Sequence, residues 1–331
     1  VAISDKQKSI LKVLADGEFH SGTELADRLK VSRSAVWKQL AGLTDLGLPY
    51  LAVKGKGYRL EKALELLSET AIISGLNPVV QPFLQKLVIH DQIDSTNAYL
   101  VQQAQEGFPS GTVCFAEHQT AGKGRRGRQW ASPFGSNLYL SILWRFQQGY
   151  ASTSGLSLAI GISVIRALQE LQIQPVGLKW PNDIISAGKK LGGILIEVSG
   201  ESEGPCSVVI GLGLNLYLSD IAAQGITQAW TDVCKIQPNF AVSRNQLAAS
   251  LLNHLLAVLA DFETVGMMHY LDEWRQYDCL QGQAATLMIA EQSYPGIVLG
   301  IDNNGLLLLQ HPDGKIQAFA SGEVSFSRTP S

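Results

Sequence analysis

The spacing of apolar residues changes along this chain, and each spacing restricts what that part can fold into. In SDKQKSILKVLAD, Ile10, Leu11 and Leu14 share one helical stripe, with Ser4 or Asp5 placed to cap its start. SGTELADRLKVSRSAVWKQLAGLTDLG predicts two more short helices. The first, near residues 23–29, buries Leu25, Ala26 and Leu29; the second, near residues 33–46, buries Val36, Leu40 and Leu43. Residues 30–32 are the turn between them, and Gly47 ends the second. YLAVKGKGYRL reads as two short strands around a Gly55-Lys56-Gly57 tip. Helix, turn, helix and a basic hairpin make a winged helix-turn-helix.

Residues 61–82 read as helix and connector, punctuated by Gly75 and Pro78. Beyond them the periods mix. Strands are expected near 87–90, 112–117, 137–146, 177–180, 191–198 and 207–215, and helices near 95–105 and 156–171. A long helical stretch, NQLAASLLNHLLAVLADFETVGMMHYLDEWRQY, breaks near Gly266. The last 50 residues or so are strand after short strand, with turns at 294–296, 303–305 and 312–314, which predicts a small β-barrel or sandwich. A length of 331 residues accommodates the resulting division into 1–64, 65–278 and 279–331.

At 46% hydrophobic residues the chain can fill real cores, which excludes disorder as the default. Residues 1–60 hold ten Lys and Arg against six acids, an excess of four; the remainder holds 16 against 23, a deficit of seven. A basic head on an acidic body predicts that only the head meets a polyanion. There is no basic-then-apolar leader and no uninterrupted apolar run near 20 residues, so neither export nor a membrane partner is expected. Cys114, Cys206, Cys234 and Cys279 form no C-x-x-C pair, and the six histidines show no ligand spacing. Reduced thiols in the cytoplasm and no protein-held metal follow.

The stretch QTAGKGRRGRQW contains G-x-G-x-x-G and four cations, Lys123, Arg125, Arg126 and Arg128, in six residues. A dinucleotide turn must open a helix. Here RQWASPFGSN follows, with Pro133 and Gly135, and position 147, where an acid is needed, is Gln. A nucleic-acid face would be broadly basic, whereas this cluster is local within an acidic body. A solvated charged loop is the plainest alternative. Yet glycines admit backbone N–H groups close to an anion, and long basic side chains can close around a phosphate. The pattern predicts a mobile clamp on a phosphorylated small molecule.

Two further stretches support a site. LKWPNDIISAGKKLGGILIE carries Lys179, Asn182, Asp183, Lys189 and Lys190, although PND alone is an ordinary turn and GKK an ordinary hairpin tip. DQIDSTNAYL starts a helix at which Asp94 or Ser95 is the cap; capping accounts for one of Ser95, Thr96 and Asn97, and all three could grip a polar heterocycle.

IDSTN, AEHQTAGKGRRGRQWASPFGSNLYLS, KWPNDI, KKLGGILIE and IGLGLNL together resemble the biotin–protein ligases. With the winged head, the chain is similar to the bifunctional form, biotin–[acetyl-CoA-carboxylase] ligase and biotin operon repressor. The resemblance implies a central mixed-sheet, class II synthetase-like ligase domain and a C-terminal SH3-like β-barrel. It implies that ATP activates biotin to biotinyl-5′-AMP with Mg²⁺, and that a lysine of biotin carboxyl carrier protein then takes the biotinyl group. Ser95, Thr96, Asn97 and Gln119 would surround biotin; Lys123, Gly124, Arg125 and Arg128 would form the closing loop; Lys190 would hold the acyl-phosphate oxygens. Trp130 would pack the loop or the biotin tail. Lys179, Asn182 and Asp183 would sit near ATP, the metal or the amine, with Asp183 orienting the amine, and Trp230 would stack on adenine. The catalytic set implied is Lys190, Arg125 and Asp183. Two departures stand out. Arg328 is shifted by one position from the arginine that repressor members often carry, which reverses its face in a strand. The loop begins Gly-Lys-Gly rather than Gly-Arg-Gly, keeping charge but losing a bidentate fork.

In the head, Arg33, Ser34, Trp37 and Lys38 point away from the apolar stripe, and Lys54, Lys56 and Arg59 lie on the hairpin. The first group could reach base edges, the second phosphates. A module that only docks on the ligase is the alternative; the confined basic excess favours DNA. One helix-turn-helix reads a half-site, so a homodimer on a palindromic operator is expected. The resemblance implies that biotinyl-AMP promotes that dimer as corepressor. Rival readings are a repressor that senses a nucleotide without catalysis, and a lipoyl or other acyl ligase.

Overall fold

The computed structural model describes residues 4–44, 46, 48–61, 63–200, 204–238 and 243–326. Helix α1 (Asp5–Leu14) is capped by Ser4, not by Asp5. The Ser4 hydroxyl accepts from Gln7 N at 3.2 Å and Gln7 Oε1 accepts from Ser4 N at 2.9 Å, a reciprocal capping box. Helix α2 (Gly22–Leu29) is capped by Ser21, and Lys30 turns the chain in the left-handed region at φ 51°. Helix α3 (Arg33–Thr44) stops two residues short of the expected end, because the chain turns there with Leu46 N on Leu43 O. Gly47, expected to end it, lies outside the described residues. Strands β1 (Tyr50–Val53) and β2 (Gly57–Leu60) form the antiparallel wing. The expected stripe residues are buried except Leu29, which is half-buried at the rim of the head's core. Phe134, from the body, is buried in the same core.

Past helix α4 (Glu69–Ser74), the body is a seven-stranded sheet. Its strands are β3 (Lys86–His90), β4 (Thr112–Ala116), β5 (Leu138–Phe146), β6 (Gly177–Lys179), β7 (Asp183–Ser186), β8 (Lys189–Gly200) and β9 (Cys206–Leu214), in spatial order β3-β4-β5-β9-β8-β7-β6. Only β3 and β4 run parallel. Strand β7 was not anticipated: four residues between a turn and a hairpin tip carry no periodic signal. Helices α5 (Thr96–Gln105), α6 (Leu156–Glu170), α7 (Val233–Ile236), α8 (Arg244–Val265) and α9 (Leu271–Gln276) surround it. Gly266 breaks the long helical stretch as expected. Residues of α6 and α8 join the large core on one face of the sheet. Tyr150–Glu170 and Arg244–Val265 are long and apolar enough to cross a membrane by length and composition, and here both are largely buried in that core. The other face carries α5, over Cys114, Leu143 and Val209, and leaves room beside it for a cleft.

Strands β10 (Ala284–Ile289), β11 (Gln292–Ile301), β12 (Leu307–Gln310), β13 (Ile316–Phe319) and β14 (Glu323–Phe326) form a five-stranded antiparallel sheet ordered β13-β12-β11-β10-β14. The turn expected at 294–296 is instead strand, with Pro295 opposite Thr286. Strand β12 pairs β11 only from Ile297 onward, so that edge is unpaired at Pro295 and a missing N–H is tolerated.

The chain enters this sheet at Asp278, whose backbone is pinned beside β6: Cys279 N donates to Leu178 O at 2.9 Å. Asp278 Oδ1 accepts from Leu280 N at 2.8 Å, but Oδ2 is buried with no hydrogen-bond partner among the described residues. Burial pushes its carboxyl up to about 6, against the backbone bonds that lower it. The folded state therefore holds this proton over a window, about pH 4 to 6, in which the unfolded chain releases it, and stability falls as pH rises through that window. Asp278→Asn keeps the acceptor and cannot ionise. It is expected to melt higher than the parent at pH 7.5 and to converge with it near pH 4; a gap in melting temperature that does not change with pH would contradict this.

Candidate functional site

Register across the sheet builds the site. Cys114, Ser141, Gly211 and Leu195 stand opposite one another on β4, β5, β9 and β8. The next row on the same face is Ala116, Tyr139, Gly213, Gly193 and Asp183. Gly211 and Gly213, two apart on β9, are slots. A Cβ at Gly211 would lie 2.2 Å from Asn97 Oδ1, and one at Gly213 2.4 Å from the Trp130 indole. Over these rows lies a cleft with about 1020 Å³ of empty space, its open mouth included. That is the scale of a small-molecule site.

The floor is polar and closely bonded. Ser95 caps α5, accepting from Ala98 N, so one of the three consecutive polar residues is a cap as expected. Gln119 Oε1 accepts from Thr96 N at 2.9 Å, while Gln119 Nε2 donates to Ser132 Oγ at 3.0 Å. Ser141 Oγ lies 2.7 Å from Thr96 Oγ1 and 2.6 Å from Asn97 Oδ1. Asn97 Nδ2 donates to Glu197 Oε2 at 2.8 Å and to Leu195 O at 3.4 Å.

The far wall is charged. Lys190 Nζ lies 2.7 Å from Asp183 Oδ1, with both side chains under a fifth exposed. Lys179 on β6 stands opposite Asp183, and burial lowers its pKa, against the pull of that carboxylate. The hairpin tip is Ala187 and Gly188, at φ 48° and 74°, so Lys190 is a strand residue held in place by β8 rather than a tip residue. Its ammonium lies 5.5 Å from the Trp130 ring centroid, a weak cation–π contact. Trp230 comes next to Lys190 through the backbone, but its ring carries Lys235 Nζ at 3.5 Å and does not line the cleft; Gln228 does.

The roof is the glycine–arginine loop. Lys123 pairs with Gln129, and a tight turn at Arg125–Gly127 uses φ 57° at Arg126 and 72° at Gly127. Arg125 Nη1 donates to Asn182 Oδ1 at 3.0 Å, and burial lowers its pKa. It also reaches Gly322 O at 3.5 Å. Arg126 donates to Met288 O at 3.4 Å, and Arg128 forms an ion pair with Glu323. The loop thus lies down over the cleft and leans on the C-terminal sheet. Of the residues expected at the site, Ser95, Thr96, Asn97, Gln119, Lys123, Gly124, Arg125, Arg128, Trp130, Lys179, Asn182, Asp183 and Lys190 all line the cleft. Only Trp230 does not. Sequence reasoning missed Ser132, Ser141, Glu197, Met288, Gly322 and Glu323, which reach the site from elsewhere in the chain with no spacing signal. Arg328 lies outside the described residues.

In the head, Arg33, Ser34, Trp37 and Lys38 are exposed on α3, with Trp37 61% exposed beside the buried Val36. Lys54 and Lys56 are exposed on the wing, and Lys56 and Arg59 lie 5.8 and 4.9 Å from the Phe19 ring centroid.

Sequence comparison decides the family. Over 317 residues, 96% of each chain, this one is 41% identical to the bifunctional ligase/repressor BirA of Salmonella typhimurium; it is 40% identical to that of Escherichia coli over 316 residues. The chain belongs to the bifunctional ligase/repressor family. Profiles agree segment by segment: an HTH domain over residues 6–59, the biotin/lipoate A/B protein ligase family over 89–215, and a biotin protein ligase C-terminal domain over 286–327. The fold is similar to the biotin protein ligase of Aquifex aeolicus, solved in complex with biotin and ATP. That likeness has a TM-score of 0.63 and 27% identity, covering 74% of this chain and all of that one. This ligase/repressor is therefore an enzyme with a mixed-sheet ligase domain, a winged head and a small antiparallel C-terminal domain. In the ligase/repressor, Gly213→Ala must push the Trp130 indole out of its slot. Overpacking of this kind costs about 1–3 kcal/mol. The expected result is an altered tryptophan emission and at least tenfold weaker biotin binding by calorimetry; unchanged binding would show that the slot does not matter.

Proposed function

We propose that this cleft joins biotin to ATP and hands the biotinyl group to a protein lysine. The observation that carries the reading is the convergence of Arg125, Lys179 and Lys190 above a flat two-glycine slot with a hydrogen-bonding floor. A carboxylate attacking the α-phosphate forms biotinyl-5′-AMP and releases pyrophosphate. Negative charge gathers at the new bond, so fixed cations lower the barrier mainly by electrostatics and alignment. Lys190 holds the acyl-phosphate oxygens, Arg125 and Lys123 close over them, and Arg128 anchors the loop. Ser95, Thr96, Asn97 and Gln119 line the end that takes the ureido ring, and Trp130 backs the tail. Asn182 fixes Arg125. Lys179 faces the nucleotide. Asp183 orients the incoming lysine, which must lose a proton to attack because its ordinary pKa is about 10.4. The lysine nitrogen bonds to the biotinyl carbonyl carbon and AMP leaves. Trp230 has its ring under Lys235, which supports an outer-rim role at most.

The described residues hold no cluster of three or more metal-ligating side chains, and Asp183 is already ion-paired. Magnesium thus fits as an ion carried on the nucleotide's phosphates, where it neutralises charge, rather than in a protein cage. The acceptor is a biotin carboxyl carrier protein. The homodimer has a candidate surface: β7 pairs β8 only as far as Gly193, so residues 195–200 show an open edge among the described residues. Such an edge accepts another strand. The exposed cations of α3 and the wing support operator binding, with biotinyl-AMP as corepressor. Four free cysteines fit a reducing cytoplasm. The lipoate alternative is disfavoured by the polar floor, which suits a cyclic urea better than a dithiolane.

Four measurements test this. ATP–pyrophosphate exchange should depend on biotin and not on lipoate; exchange driven by lipoate alone would overturn the reading. Arg125→Gly should still form the adenylate but release it at least tenfold faster in stopped-flow traces, since it loses the contacts across the cleft mouth. In the head, Trp37→Ala with Lys38→Ala should abolish the biotin- and ATP-dependent gel shift without changing exchange. Lys54→Ala with Lys56→Ala should weaken DNA binding and flatten its salt dependence by up to two phosphate contacts.

A further inference from the structure

Glu197 takes no part in the chemistry above, yet it touches the cleft floor. It stands opposite Val209, on the same face of β8 as Gly193 and Leu195. It also lies past the point where β7 stops pairing β8. Its Oε2 accepts from Asn97 Nδ2 at 2.8 Å, and Leu195 O takes Nδ2 again at 3.4 Å. Asn97 is buried, and its Oδ1 sits over Gly211 within 2.6 Å of Ser141 Oγ.

A primary amide can present either end to a neighbour, and the neighbour's chemistry decides which. An ionised carboxylate only accepts. It therefore draws the NH₂ group of Asn97 to β8 and leaves the carbonyl facing Ser141 and the cleft. Ser141 has one hydrogen and two acceptors in reach, Asn97 Oδ1 and Thr96 Oγ1. A fixed Asn97 carbonyl claims that hydrogen, and the row Asn97, Ser141, Thr96, Gln119 acquires one polarity. Without the carboxylate, only the long 3.4 Å bond to Leu195 O opposes a turn of Asn97; once it turns, Ser141 faces an NH₂ group and its hydrogen moves to Thr96. We propose that Glu197 is a positioning and specificity residue of the ligand pocket: it fixes Asn97 as an acceptor, so that this wall reads an N–H donor of a cyclic urea. The proposal rests on the biotin reading for the identity of the ligand, but not for the state of Asn97.

The test compares Glu197→Ala and Glu197→Gln with the parent full-length chain in adenylate formation. Glutamine can still offer an oxygen to Asn97, so Glu197→Gln should keep the KM for biotin within threefold. Glu197→Ala should raise that KM at least tenfold while the KM for ATP stays within twofold. A biotin analogue with one ureido N–H replaced by oxygen should bind the parent at least tenfold more weakly than biotin, and Glu197→Ala should lose most of that discrimination. Equal KM changes for biotin and ATP, or undiminished discrimination, would overturn the proposal. A second readout needs no activity. In ¹⁵N-asparagine-labelled parent protein, the Asn97 side-chain amide, identified by its loss in Asn97→Asp, should exchange slowly with solvent. Rapid exchange would overturn the proposal even if biotin is the substrate. Slow exchange in a protein that fails to activate biotin would support Glu197 and sink the biotin reading instead.

Discussion

The site depends on a close approach between a strand and two side chains. On β9 the residues facing the cleft are Gly211 and Gly213, and the space where Cβ atoms would stand is occupied by Asn97 from α5 and by the Trp130 indole. Gly193, opposite Gly213 on β8, extends the flat strip toward Asp183. Any larger residue in this strip would lift either Asn97 or the Trp130 indole away from the sheet. Glycine weakens a strand, since it offers no side chain to pack and loses more backbone entropy. Here that loss is offset from the other face, where Ile210, Leu212 and Leu214 of β9 are buried in the main core. One face of β9 therefore supplies stability and the other supplies room, an alternation that the two-residue period of a strand makes possible.

Much of this was legible in sequence because it is local. Helical spacing located α1, α2 and α3 and most of their buried residues, and the basic glycine loop, read as a clamp on a phosphorylated ligand, does line the cleft. What escaped was non-local or depended on direction. Ser141 and Glu197 reach Asn97 across 44 and 100 residues of chain, and Glu323 reaches Arg128 across 195, so no spacing rule connects them. Trp230 was expected to stack on adenine; its ring instead lies under Lys235 and does not line the cleft, and sequence does not say to which side a loop side chain turns. Pro295 was read as a turn because proline usually breaks a ladder; it sits in a strand whose edge is bare at that point.

The segment from Gly122 to Asn137 joins the three parts of the molecule. Trp130 fills the Gly213 slot; Ser132 bonds Gln119; Phe134 is buried in the head's core; Gly135 N donates to Glu117 O; Asn137 accepts from Leu216 N. Beneath it, Glu117 pairs with Arg244 at 2.8 Å, both nearly fully buried, and Arg244 also holds Glu65 of the connector through its carbonyl. Removing one member of such a buried pair strands the other and costs about 3–5 kcal/mol. The head is thus fixed to the ligase body by a packed side chain, Phe134, and by an ion pair of Lys8 with Asp91 at 2.6 Å, rather than hanging from a flexible linker.

That anchoring limits how the roof can open. Residues 130–137 are held by buried contacts, and truncating a buried phenylalanine costs about 3–5 kcal/mol, so this part of the segment does not swing with the loop. Residues 123–129 are held differently. Their contacts outside the loop include guanidinium bonds to Asn182, Gly322, Met288 and Glu323, made by side chains that are exposed or half-buried. Exposed pairs of this kind contribute about 0–1 kcal/mol each and weaken with salt. The moving part is then the tip between Gly122 and Trp130, hinged on a rigid base. An anion in the cleft would add charge to the side on which Lys123, Arg125 and Arg128 converge, and so favour the closed tip. The C-terminal sheet, through Glu323, supplies one of the weak contacts that hold the tip down.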